Sequence, residues 1–296
     1  MDTDWCECVN VQQYLRLMKT KASFSHSCMN AWLSINTIGG LIYFGGNNAL
    51  ALMHLVGNGN NTSRLFPVSV LFPLEAEQSP IYELLVIILF LHAMLVTYTV
   101  VFLNALISTL VLHVSGQIDI ICQDLQNISE NIPYYGSSGQ TVGMLIERHN
   151  KVITFSKNMD KLFSFMALMQ VGWNTLVICF LGLLVVISVH NDTGVVLLRG
   201  GFAYCNIMMD VFIFCFAGEY LSHKSRSLGN AGYECSWYKM SPSHSRNILF
   251  FIMRSQKQLT ITVGGMTNLS LETFTSVSLQ IFFLIYNYVV LCIFPN

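Results

Sequence analysis

At 296 residues, 53% of them hydrophobic and 10% charged, the chain falls far below the roughly 25% charged content of an ordinary soluble domain. That deficit, with a mean hydropathy of +0.53, excludes the soluble class and predicts a polytopic membrane protein. A net charge of −1 gives no reason to expect a nucleic-acid partner, and the charges are clustered rather than spread.

Residues 1–28 are polar and mixed in charge (Asp2, Asp4, Glu7, Arg16, Lys19, Lys21), without the apolar core and cleavage site of a secretory signal. They are read as a cytoplasmic segment, the first span itself serving as the signal. A bilayer-spanning helix needs about 20 mostly apolar residues, and five segments qualify: 29–56, 81–113, 162–190, 195–220 and 269–294. The first is diluted by glycine and asparagine, yet carries no formal charge. The second, charge-free from Leu84 to Ser115, exceeds a bilayer thickness and should tilt or project beyond it. The expected fold is all-α, with the five spans lying in one membrane domain over 1–296.

Lysine and arginine set the orientation. The loop after the fourth span holds Lys224, Arg226, Lys239, Arg246, Arg254 and Lys257 against Glu234 alone. The loop between the second and third spans holds Arg148, Lys151, Lys157 and Lys161. Both read as cytoplasmic, which puts the N-terminus inside and the C-terminus outside. The overlapping glycosylation sequons at 60–63 and the one at Asn191 fall in predicted outer loops, and another, at Asn127, in a predicted inner one. The nine cysteines avoid the predicted outer loops, so a disulfide framework is not expected.

Inside, 114–161 shows helical spacing in Ile118, Ile121, Leu125 and Ile128, a break from Asn131 to Gly139, and renewed spacing at Val142, Leu145 and Ile146. The second and third spans therefore continue as helices below the membrane. With 221–266, which includes the amphipathic run 247–258, they form the elements of a cytoplasmic platform. Gly264-Gly265 is read as a helix breaker. No catalytic grouping, metal-ligand spacing or phosphate loop is present, and neither enzyme activity nor a cofactor is expected.

Three stretches in order resemble the insect odorant receptor family. The first runs from Leu65 to Glu83, with its prolines and its Ser-Pro-x-Tyr-Glu entry into a span. The second joins Gly218-Glu-Tyr-Leu221 to Ala231-Gly-Tyr233 and Trp237-Tyr238. The third is Arg254-Ser-Gln256, followed by Leu269-Ser-Leu-Glu-Thr-Phe274 and Tyr286-Asn-Tyr288. The resemblance covers nearly the whole chain and maps the five spans onto the family's third to seventh, with its first two absent. An incomplete gene model and a short isoform both fit. Gln258 stands where the family usually has proline, and extra residues separate Phe274 from Tyr286, shifting register beyond about Val277.

The resemblance implies an odorant-binding subunit of a ligand-gated cation channel. It implies assembly with a shared co-receptor in a hetero-tetramer, and residence in the plasma membrane of an olfactory neuron dendrite. It places a pocket for a small volatile ligand in the outer half of the bundle. There Phe44 and Asn48 on the first span, Leu85, Leu89 and His92 on the second, and Phe202, Asn206 and Met209 on the fourth are the candidates. Apolar walls with a few polar groups suit such a ligand, although ordinary helix packing produces the same stripes. The resemblance also implies that the last helix lines the pore, with Ser276, Gln280, Asn287, Val290 and Leu291 as candidates. Polar groups on such a helix equally serve helix–helix hydrogen bonding. Asp210 either lines a water-filled cavity or snorkels inward from the fourth span. A gustatory receptor of the same superfamily, a transporter fragment and a silent truncated receptor are the alternatives.

Overall fold

The computed structural model describes residues 12–57, 81–130, 139–190, 194–276, 278, 279 and 283; side chains are described outside 43–57, 130, 139–140, 184–190 and 194–199. The described elements are nearly all helical. In order they are α1 (Gln12–Gly57), α2 (Ile81–Glu130), α3 (Gly139–His190), α4 (Gly194–Glu234), a 3-10 turn (Trp237–Lys239), α5 (Pro242–Ser255), and a two-stranded hairpin of β1 (Thr262–Val263) and β2 (Thr267–Asn268). A final helical segment begins over 271–276. This is the all-α polytopic architecture expected.

Helix α1 crosses the expected boundary at residue 29 without interruption, because nothing from Gln12 to Ile38 is proline or glycine. At 50 residues, α2 is about 75 Å long, more than twice the roughly 30 Å hydrocarbon core. Three described stretches are long and apolar enough to cross a bilayer: Ile81–Ser129, Thr141–Leu183 and Gly200–Lys239. The predicted last span, 269–294, lies largely outside the described residues.

The chain divides into two compact units, His26–Ala105 and a second made of Met1–Ser25 with Leu106–Asn296. In the first, large apolar side chains face outward, Leu84, Ile87, Leu91, Leu95 and Phe102 among them. That is the pattern of helices solvated by lipid rather than water. Gly40 lies against Met94, so close that a Cβ would require the methionine tip to move. Serine and threonine hydroxyls in α1 bond back to the carbonyl four residues earlier, as Ser34 does to Asn30 (2.7 Å) and Thr37 to Leu33 (2.7 Å). This satisfies the hydroxyls where water is scarce.

The second unit holds the continuous core. On α2, Ile107, Val111, Val114, Ile118, Ile121, Leu125 and Ile128 form one buried stripe at helical spacing. It packs with Val142, Leu145, Val152, Met159 and Phe163 of α3, Phe214, Leu221 and Leu228 of α4, and Ile248 and Phe251 of α5. The inner-loop stripe expected at 118–128 and the resumed one at Val142 and Leu145 are therefore core. Helix α5 opens with Pro242, whose fixed φ and missing N–H suit a first turn. It buries Ile248, Phe251 and Ser255.

His149 is buried in this core, its ring centroid 4.5 Å from that of Phe251. Desolvation, aided by the nearby charge of Arg254, lowers its pKa from 6.5 to about 4. The native state thus refuses a proton that the unfolded chain accepts below pH 6.5. Stability is full above that value and falls as pH drops toward about 4. The expected loss is on the order of 3 kcal/mol at the acid end. Melting midpoints of the detergent-solubilised protein measured across this range will show it. His149→Phe, which keeps the packing and removes the titration, should flatten the curve; an unchanged slope in that variant would assign the acid sensitivity elsewhere.

Candidate functional site

Two acidic residues on α2 tie the start of α1 to the neighbouring helices of its unit. Asp119 receives Lys224 Nζ at 2.7 Å and Lys21 Nζ at 3.3 Å. Lys21 also donates to the Tyr220 hydroxyl at 2.8 Å. Burial alone would lower the Lys21 pKa, but the Tyr220 hydrogen bond and the Asp119 carboxylate outweigh it and hold the ammonium above its ordinary value. About one turn further on, Asp124 accepts from the Tyr14 hydroxyl and, at 3.0 Å, from Arg148 Nη1. Desolvation first, then the Asp124 hydrogen bond, pushes the Tyr14 phenol up to about 12.

The hairpin is seated on α3. Its turn is Val263-Gly264-Gly265-Met266, with Met266 N–H donating to Val263 C=O at 3.1 Å. Gly264 and Gly265 take φ of +60° and +72°. Successive positive φ values define the type I′ turn that matches strand twist and strongly favours glycine. The expected helix breaker is thus a tight β-turn. Asp160 Oδ1 accepts from Thr262 N–H at 2.7 Å and from its hydroxyl at 2.9 Å. One turn along, Ser164 C=O accepts from Gly264 N–H (3.0 Å), and Ser164 Oγ from Gly265 N–H (3.1 Å). Leu269 N–H closes the hairpin onto Ile261 C=O at 2.8 Å.

From that base the final helix starts. Ser270 caps it, its Oγ accepting from Thr273 N–H at 3.1 Å. Glu219 of α4 accepts from Leu271 N–H at 3.4 Å and puts a negative charge at the positive end of the helix. Phe274 meets the Phe212 ring edge-on at 5.6 Å. Gly218 packs directly on Leu269, where a Cβ would lie 2.4 Å from the backbone oxygen. The N-terminal end of the last helix is therefore held by α3 through the hairpin and by α4 through Gly218, Glu219 and Phe212.

Leu85, Leu89 and His92 share one face of α2 within the His26–Ala105 unit; the leucines are half-buried and His92 is exposed. Phe202, Asn206 and Met209 share a face of α4 in the other unit, Phe202 and Met209 exposed. Asn206 spends its amide on Phe202 C=O at 2.9 Å. Asp210 is half-buried. Phe44 and Asn48 lie in α1, their side chains outside the described set. Ser276 is exposed on the final helical segment, and Gln280, Asn287, Val290 and Leu291 lie outside the described residues. Sequence reading missed Asp119, Asp124, Asp160 and Ser164. Only the i, i+4 spacing of the last two hints at a shared role.

Helix α5 exposes Leu249, Phe250 and Met253, and Tyr233, Tyr238 and Met266 are exposed nearby in sequence. Three described stretches long and apolar enough to cross a bilayer mark a polytopic membrane protein. A family model, 7tm Odorant receptor, matches residues 8–281, and the chain belongs to that family.

Odorant receptor 22c of Drosophila melanogaster is 22% identical over 216 residues, covering 68% of this chain and 52% of the relative. Odorant receptor 82a of the same species is 25% identical over 211 residues, covering 70% and 53%. The chain thus spans about half the length of these curated relatives. The olfactory receptor OR5 of Machilis hrabei, solved with eugenol, shares the fold with a TM-score of 0.71 at 18% identity, covering 93% of this chain and 68% of that one.

Proposed function

We propose that the chain is the odorant-binding subunit of a heteromeric ligand-gated cation channel, paired with the family's co-receptor in a hetero-tetramer. The observation that carries this is the family match across residues 8–281, together with a fold shared with an insect olfactory receptor solved in complex with eugenol. The five spans correspond to the family's third to seventh, N-terminus inside and C-terminus outside, in the plasma membrane of the sensory dendrite.

In this reading a small volatile ligand is held by burial of its apolar surface among Phe44, Asn48, Leu85, Leu89, His92, Phe202, Asn206 and Met209. The last helix lines the pore through Ser276, Gln280, Asn287, Val290 and Leu291. Ligand binding favours the open state only to the extent that the ligand binds that state more tightly. The outward apolar face of α5, Leu249, Phe250 and Met253, meets neighbouring subunits, since such a face in water calls for a protein partner.

The test is co-expression with the co-receptor and recording of odorant-evoked current across a chemically broad panel. Current that needs both chains, and a response profile altered by His92→Ala or Phe202→Ala, is the expected result. Surface-expressed protein that passes no odorant current with the co-receptor would sink the reading.

A further inference from the structure

A cavity of about 340 Å³ lies between the C-terminal end of α4 and α5. Its walls include Arg226, Asn230, Tyr233, Ile252, Gln256 and Gln258. No acidic residue lines it, and Arg226 makes no ion pair among the described residues. The amide orientation of Gln258 that satisfies its neighbours points nitrogen at Ser222 Oγ (3.0 Å) and oxygen at Arg226 Nη2 (3.0 Å) and Nε (3.2 Å). Arg226 and Gln258 are both exposed; the amide oxygen orients the guanidinium, and no carboxylate among the described residues pairs with it.

A guanidinium carries five N–H donors in a planar fork, and Gln258 engages two of them, leaving the Nη1 edge available. Beside it stand the amides of Asn230 and Gln256 and the phenol of Tyr233, all able to donate, while Ile252 supplies an apolar wall. One cation with several neutral donors suits an oxyanion with three terminal oxygens better than a flat carboxylate, which two donors saturate. The volume lies within the range of small-molecule sites.

We propose that this cavity binds a phosphomonoester, with the phosphate on Arg226 and the neutral donors and the organic part against Ile252 and Tyr233. In the inside orientation the bound group is either the headgroup of an anionic lipid or a soluble cytosolic phosphate. The chemistry at the arginine is the same, and the source is decided by experiment. The site is separate from the odorant pocket and the pore, and its occupancy is read without channel current, so its failure and that of the channel reading are distinguishable.

The full chain, co-purified with its co-receptor, is placed in phosphatidylcholine nanodiscs with or without phosphatidic acid. Glycerol phosphate is titrated separately into the undoped discs. Binding is read from the melting midpoint and from hydrogen exchange across 226–258. One of the two probes should raise the midpoint and protect this segment. Arg226→Gln should weaken that effect by about tenfold or more, the loss of a charge-assisted bond. Asn230→Asp, which places a like charge beside the phosphate, should weaken it as well.

Stabilisation by doped discs alone assigns a lipid headgroup, and stabilisation by glycerol phosphate alone assigns a soluble ligand; both support the site. No response to either probe, or an equal response in Arg226→Gln, overturns it. So does an Arg226→Gln variant that loses its partner subunit while wild type binds neither probe, for the arginine would then be a subunit contact.

Discussion

Gly218→Val is expected to prevent the C-terminal part of the chain from reaching its native packing. A Cβ at this position would lie 2.4 Å from the Leu269 oxygen and 2.6 Å from its Cβ. The first obstacle is backbone, held in turn by the hydrogen bond from Leu269 N–H to Ile261 C=O, so it cannot swing aside as a side-chain tip would. Overpacking a well-filled site costs about 1–3 kcal/mol when side chains can adjust; here the upper end or more is expected. Fluorescence-detected size-exclusion melting in detergent should show a lower midpoint and reduced surface protein, with Gly218→Ala intermediate. Gly201→Ala is the control, because nothing lies within 4 Å of a Cβ there and alanine favours helix by up to about 1 kcal/mol. A Gly218→Val protein that melts like wild type would mean that α4 and the final helix are not in contact at this point.

The second large effect is expected at Asp160. Its Oδ1 accepts both the backbone N–H and the hydroxyl of Thr262. Asp160→Ala removes both bonds and leaves an amide without an acceptor, a loss of roughly 2–3 kcal/mol for bonds to a charged group. Asp160→Asn keeps a carbonyl oxygen in reach and should cost less. The variants need not lower global stability in proportion, because the hairpin can open by itself. The sensitive measurement is hydrogen exchange at Thr262, Gly264 and Gly265, which should accelerate in Asp160→Ala and less so in Asp160→Asn. Protection unchanged in both would remove Asp160 as the anchor of the turn.

What the sequence made legible follows from periodicity. The stripe from Ile118 to Ile128 and the amphipathic run ending near Gln258 declare which faces are buried, because repetition at three and four residues is a property of the helix alone. Helices α2 and α3 carry that pattern, whereas α5, Pro242–Ser255, begins before the predicted run 247–258 and ends short of it. The Gly264-Gly265 pair announced an interruption but not its form, since the turn type depends on both φ values and on what receives the N–H groups.

The ion clusters were not legible. Tyr14 meets Asp124 across 110 positions and Lys21 meets Tyr220 across 199, and no local pattern marks which charges meet at such separation. Lys224 counted toward orientation as one of six basic residues, although its charge is already matched by Asp119. Of the ligand candidates, the sequence could give the shared faces of Leu85, Leu89 and His92 and of Phe202, Asn206 and Met209. Which opposing wall each face meets depends on tertiary placement that spacing does not encode.

Leu95 of α2 is 66% exposed and Met253 of α5 is 65% exposed, figures that are equal for practical purposes. For Leu95, on a charge-free stretch that the proposed topology puts in the bilayer, the surrounding medium is hydrocarbon, and exposure costs nothing because the solvent is as apolar as the side chain. For Met253, on a helix with polar and basic neighbours that the proposed topology puts outside the bilayer, the medium is water, and the same area is a standing demand for a covering surface. Accessibility in this chain therefore has no single sign. Substitution scans that rank residues by exposure would group these two together, although a polar replacement breaks solvation at one and relieves it at the other.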